Sequence, residues 1–77
     1  MRAKLVQSMH DYDRWVVEFE YRDSKGIESK RVVSPVRFLS NERFLGFCLN
    51  REEPRQFYLN RIQNLELKPA ENYLIGG

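Results

Sequence analysis

Cysteine and histidine are almost absent from this chain: Cys48 and His10 each stand alone among 77 residues. A single cysteine excludes an internal disulfide and fits a reducing compartment, so a cytoplasmic protein is expected. A single histidine near the start leaves a histidine metal cluster, a Ser-His pair or a Cys-His pair without its second component. Glycine occurs only at Gly26, Gly46, Gly76 and Gly77, a spacing that makes no phosphate-binding loop. No apolar run approaches membrane-spanning length, and Met1 to Ser8 has no hydrophobic signal core, so no membrane partner is expected. Ser34 has no candidate base beside it. Glu18 and Glu20 alternate with apolar residues and read as a solvated strand face rather than an acid/base pair. The expectation is a protein that is not an enzyme and needs no cofactor or metal.

What is present is a folded domain. A hydrophobic content of 42% and aromatics at 13%, with few glycines and prolines, argue against disorder. A chain of this size buries only about 60 to 65% of its unfolded surface, so it has one small core and gains from association with a partner. No repeat, low-complexity tract or internal linker is visible. One domain is expected over 1–77, with a helix or turn in 1–12, β-structure in 14–68 and a tail in 69–77.

Lysine is missing where positive charge concentrates. Met1 to Lys30 balances six basic against six acidic residues, whereas Arg31 to Arg61 holds six arginines, no lysine and only Glu42, Glu52 and Glu53. Guanidinium binds phosphate or carboxylate with two prongs and stacks on flat rings, which an ammonium does less well. Arg37 and Arg51 read as ordinary solvated charges.

Leu5, Val6 and Met9 have near-helical spacing and predict a short N-terminal helix. Trp15, Val17, Phe19 and Tyr21 alternate with Val16, Glu18 and Glu20, which predicts a strand with the odd residues facing the core. Asp23 to Gly26 supplies a turn, and Ile27 to Leu39 resumes as a strand that Pro35 bends. Arg43 to Leu49 is apolar on both faces, as in a central strand buried on two sides. After the polar link Asn50 to Arg55, a further strand places Arg55, Phe57, Leu59 and Arg61 on one face, with the two arginines about 20 Å apart. Leu65 and Leu67 predict a last strand before Pro69. Tyr73 to Ile75 is apolar, and the final Gly76-Gly77 reads as a flexible terminus. Five strands and one helix fit a mainly β fold, a small bent barrel.

The order Val16 to Tyr21, the Asp23 to Gly26 turn, Ser29 to Pro35, Arg43 to Cys48, and Arg55 to Ile62 resembles the WYL domain, a bacterial and phage module. The family's pattern has a run ending in Tyr, a Gly turn, an Arg and a Pro flanking a hydrophobic pair, and a closing Arg-x-Phe-x-Leu-x-Arg-Ile strand. The chain departs from it in the strand that gives the family its name, where Arg43 and Phe44 replace Trp-Tyr and only Leu45 remains. Asn60 stands where an acidic residue is often seen. The resemblance implies a five-stranded Sm-like barrel. It also implies a ligand-sensing module, as found behind helix-turn-helix domains of bacterial transcription regulators or attached to helicases, phage-defence and CRISPR systems.

Two functions from different classes follow. A basic surface interleaved with aromatics suits single-stranded DNA, RNA or a nucleotide, because cations neutralise phosphates and rings stack on bases. Phe44, Phe57, Tyr58 and Tyr21 could supply rings; Phe57 and Leu59 read better as core, Tyr21 as half-buried, and Tyr58 as the best exposed ring. By resemblance the ligand positions are Tyr21, Arg31, Ser34, Arg43, Arg55 and Arg61; Arg31, Arg55 and Arg61 match the family pattern, and Arg43 enters by charge alone. The alternative is a protein-interaction adaptor, a homodimer or part of a regulator, helicase or CRISPR-associated assembly, using a barrel edge and the apolar tail.

Overall fold

The computed structural model describes residues 1–73. Its elements are α1 (Arg2–His10), β1 (Trp15–Arg22), β2 (Glu28–Phe38), β3 (Arg43–Cys48), β4 (Glu53–Tyr58) and β5 (Ile62–Pro69), with single 3-10 turns at Leu59–Arg61 and Ala70–Asn72. The five strands form one antiparallel sheet in the order β4-β3-β2-β1-β5. The fold is therefore mainly β with a short N-terminal helix, and α1, the only α-helix among the described residues, is not long and apolar enough to cross a membrane. The tail residues Leu74 to Gly77 lie outside the described residues.

Turn chemistry fixes the first hairpin. Gly26 takes φ +82°, where a side chain would be strained, and Asp23 Oδ1 accepts the N–H groups of Lys25 (2.8 Å) and Ile27 (3.0 Å). The Ile27 bond above all holds the Asp23 carboxyl below its ordinary range.

The sheet curls strongly. β1 and β4 are three strands apart in the sheet, about 14 Å if it were flat at the usual interstrand spacing. Yet the Phe57 ring lies 5.3 Å from Phe19 and 5.1 Å from Tyr21, both edge-on. The Tyr58 N–H also donates to the Tyr21 hydroxyl at 3.0 Å. Two extra residues help the bend: β2 gains Val36 against β3 just after Pro35, and β5 gains one residue near Asn64 (φ +55°) against β1. The curl stops short of closure, leaving β4 and β5 as edge strands. Pro54, which cannot donate to a ladder, sits on the β4 edge.

The concave side holds Val17, Phe19, Tyr21, Val33, Phe44, Cys48, Phe57, Ile62 and Leu65. Nine helical residues are marginal in isolation, and α1 is held by tertiary contacts. Leu5 enters the core, the Lys4 ammonium donates to the Leu65 carbonyl, Arg2 to the Asn41 carbonyl, and the Ser8 hydroxyl to the Trp15 carbonyl.

Three sequence expectations change. β3 is buried on one side only: Phe44, Gly46 and Cys48 face the core, but Phe47 is exposed and Leu45 half-buried. Among the described residues no second layer covers this part of the convex side. The strand expected from Arg55 to Arg61 ends at Tyr58, because the chain must leave β4 and cross to β5 at the other edge; the Leu59 N–H donates to the Glu42 carbonyl and Leu59–Arg61 turns. Finally, Trp15 is only half-buried while Val16, expected outward, is fully buried. The 3-10 turn after β5 folds back there, with the Ala70 N–H donating to the Arg14 carbonyl and Ala70 itself fully buried.

Candidate functional site

The alternation of β3 and β4 puts Arg43, Leu45 and Phe47 on the convex face opposite Tyr58, Gln56 and Pro54. Arg43 and Tyr58 are direct partners across the ladder, and the Arg43 guanidinium donates diagonally to Gln56 Oε1 at 2.6 Å. The turn that ends β4 brings Arg61 back over the same tyrosine, with its guanidinium carbon 5.0 Å from the ring centroid. Arg43 and Arg61 therefore flank one exposed ring. Neither makes an ion pair among the described residues.

The other expected site residues lie elsewhere. Arg31 is on the concave side opposite Phe19 and only 5% exposed. Its Nε donates to the Ser29 hydroxyl at 3.0 Å, its Nη1 lies 4.0 Å from the Cys48 sulfur, and it has no ion-paired carboxylate among the described residues. Cys48 in turn donates to Asn50 Oδ1. A nearly buried cation among neutral groups is costly, since desolvation opposes the charge and no opposite charge offsets it at contact distance.

Tyr21 is buried, and its hydroxyl accepts the Tyr58 N–H, so it fastens the curl. Ser34 points to the convex side opposite Phe47, in a cleft with Met9, Tyr12, Pro35 and Val36. Arg55 is exposed and bound to Glu53 at 3.1 Å, which neutralises it locally. Of the seven expected positions, Arg43, Tyr58 and Arg61 come together; Tyr21 supports them from beneath, and Arg31, Ser34 and Arg55 do not join them.

Sequence reasoning missed two contributors. Gln56, which orients Arg43, shares a face with Tyr58 and was legible from strand alternation. Arg2 lies over the Phe38 ring at 4.3 Å while donating to the Asn41 carbonyl, beside the loop that leads to Arg43. Nothing in the sequence signals that contact, because the partners are more than thirty residues apart.

A cleft of about 860 Å³ is at the Trp15 end of β1, away from the end where Tyr21 meets Tyr58. Asp11, Asp13 and Glu71 line it together with Arg14, itself 3.7 Å from Asp11, so it is unfavourable for an anion. Chemically, the Arg43–Tyr58–Arg61 surface offers two cations and a stacking ring.

Among solved structures, the chain is similar to proteasome accessory factor B/C (PafBC) of Arthrobacter aurescens, with a TM-score of 0.71 at 24% identity. The similarity covers 87% of this chain and 11% of that one, so the chain spans about a tenth of that protein's length. None of the curated proteins matches the chain. The WYL domain family model matches residues 12–67, from the turn before β1 to Leu67 of β5, which takes in all of β1 to β4 and the Arg43–Tyr58–Arg61 surface. With more than half its length matched, and with the matched span coinciding with the curled sheet, the chain belongs to the WYL domain family.

Proposed function

We propose that the chain is a non-catalytic ligand-sensing module of a cytoplasmic regulator, binding single-stranded nucleic acid or a nucleotide-type anion on the Arg43–Tyr58–Arg61 surface. The observation that carries this reading is the exposed Tyr58 ring flanked by two guanidinium groups that have no carboxylate partner among the described residues. A base stacks on the ring and adjoining phosphates meet the guanidinium groups, each stack contributing about 1 to 3 kcal/mol. The WYL membership supports a regulatory role, here read as transcription regulation.

Fluorescence anisotropy with a labelled short oligonucleotide tests this at two salt concentrations. Binding weakens as salt rises, and the pair Arg43→Ala and Arg61→Ala lowers affinity at least about tenfold, as expected for lost phosphate contacts. Arg55→Ala, already neutralised by Glu53, changes it little. Salt-insensitive binding, or equal losses in all three arginine variants, contradicts the assignment.

A further inference from the structure

The convex face of β2 and β3 also carries apolar side chains that the anion-binding reading does not use. Val36 is 55% exposed, Phe47 38% and Tyr12 68%, and Leu45 beside them is half-buried. They are contiguous. Phe47 is the cross-strand partner of Ser34, and Ser34, Pro35 and Val36 form a cleft of about 210 Å³ with Met9 and Tyr12 at the end of α1. Leu45 faces Arg37 across the same ladder.

The bulge after Pro35 creates this surface. It adds one residue to β2, so Val36 and Arg37 are both exposed where a regular strand would hide one of them. Exposed apolar groups such as Ile27 and Val6 occur elsewhere too, but here Val36 and Tyr12 line one cleft and Phe47 pairs across the ladder with Ser34 of that cleft, the pattern of a recognition surface.

We propose that this face docks an amphipathic acidic segment of a partner protein, two of its apolar side chains seated over Phe47 and in the Val36 cleft. Charge selects this occupant. Arg37 lies within the face and Arg43 at its border, and neither is ion-paired among the described residues. Glu53, at the far end of the β3–β4 ladder, is bound to Arg55, and Asp11 and Asp13 line the separate cleft beside Trp15. A second copy of the chain docking the same face would set these arginines against one another. A nucleic acid would find the aliphatic walls of Val36, Pro35 and Leu45 poor partners for stacked bases. Carboxylates flanking apolar anchors satisfy both the rim and the floor.

This inference does not rest on the anion site, and one set of variants separates them. A random-peptide library is selected against the 77-residue chain, and the enriched peptides are titrated against the chain and against Val36→Ser combined with Phe47→Ser. The expected result is enrichment of peptides pairing two or more Asp or Glu with two large apolar residues. Their binding weakens at least tenfold in the double variant and weakens as salt rises, while oligonucleotide binding by that variant is unchanged. Tyr12→Ser, on an exposed turn, gives a smaller loss in the same direction and serves if the double variant melts early by circular dichroism. The proposal is overturned if no peptide is enriched, if enriched peptides are neutral or basic, or if the variants leave their binding intact. A dimer in sedimentation that the double variant abolishes would assign the face to a second copy. Loss of oligonucleotide binding in the double variant would assign it to nucleic acid.

Discussion

The two convex flanks of the curled sheet are built from the same alternation and end in opposite chemical states. On β1, β5 and the neighbouring start of β2 the polar groups engage one another: Glu18 with Lys30 at 3.8 Å, Glu66 with Lys68 at 3.6 Å, Glu20 accepting from the Asn64 amide, and the Tyr73 hydroxyl donating to Glu18. On β3 and in the turn after β4, Arg43 and Arg61 are met by a glutamine and a ring and make no ion pair among the described residues, and Phe47 lies exposed farther along the same face of β3. The difference teaches where binding capacity resides. A charge already matched within the fold gains little from a guest, while an unmatched guanidinium over a ring retains both its Coulomb attraction and its stacking surface.

Both flanks hang on one curl, so the largest expected effects come from its interior. Phe57 meets Phe19, Tyr21 and Phe44 in one aromatic cluster that ties β4 to β1. Phe57→Ala should cost about 3 to 5 kcal/mol, the range for a truncated buried aromatic. Urea unfolding measures this loss, and Tyr58→Ala one residue away should change stability far less. Equal losses at the two positions would mean that the inner and outer sides of β4 are not distinct.

Gly46 comes next. A Cβ there would lie 2.4 Å from Val33 Cγ1 and 3.2 Å from Phe44, where neither buried neighbour has room to move, so Gly46→Val is expected to cost about 1 to 3 kcal/mol through overpacking. A variant as stable as the parent would show that β3 can lift from β2 without disturbing either flank. Tyr21→Phe is milder. It removes the acceptor for the Tyr58 N–H and should lower stability by about 1 kcal/mol, with a further loss of oligonucleotide affinity because Tyr58 is no longer held.

The sequence announced the inner side of the sheet more clearly than the outer. Val17, Phe19 and Tyr21 alternate cleanly and are all buried; the Gly26 turn and the bend at Pro35 are written in residue types with specific backbone demands. Arg43 and Tyr58 could be named as site candidates from charge and strand face. That Arg61 would return over Tyr58 could not be seen, since a strand period continued through Leu59 predicts separation, and only the tertiary bond from Leu59 to Glu42 turns the chain. The family pattern picks out Arg31, but its place on the core face of β2, opposite Phe19, is not something its charge signals. The exposure of Phe47 was hidden for the complementary reason: an apolar residue in an apolar run looks buried until the number of layers is known.

The smallest effect tests the self-satisfied flank directly. Partial desolvation, ahead of the bond to Glu18, raises the exposed Tyr73 phenol above its ordinary value. A group whose folded value lies above its unfolded one contributes stability that is complete below the unfolded value and vanishes as pH rises through the folded value. The contribution of Tyr73 is therefore present at neutral pH and disappears above about pH 10, the ordinary range for a tyrosine. The difference in phenolate absorbance between the parent and Tyr73→Phe isolates this group from the other tyrosines. Glu18→Gln should bring the late titration earlier without abolishing it, because the partial desolvation persists when the carboxylate is gone, and oligonucleotide binding on the opposite flank should not change. If Glu18→Gln altered that binding, the acidic flank would be acting on the guest at a distance, and the division between a matched and an unmatched side of the sheet would fail.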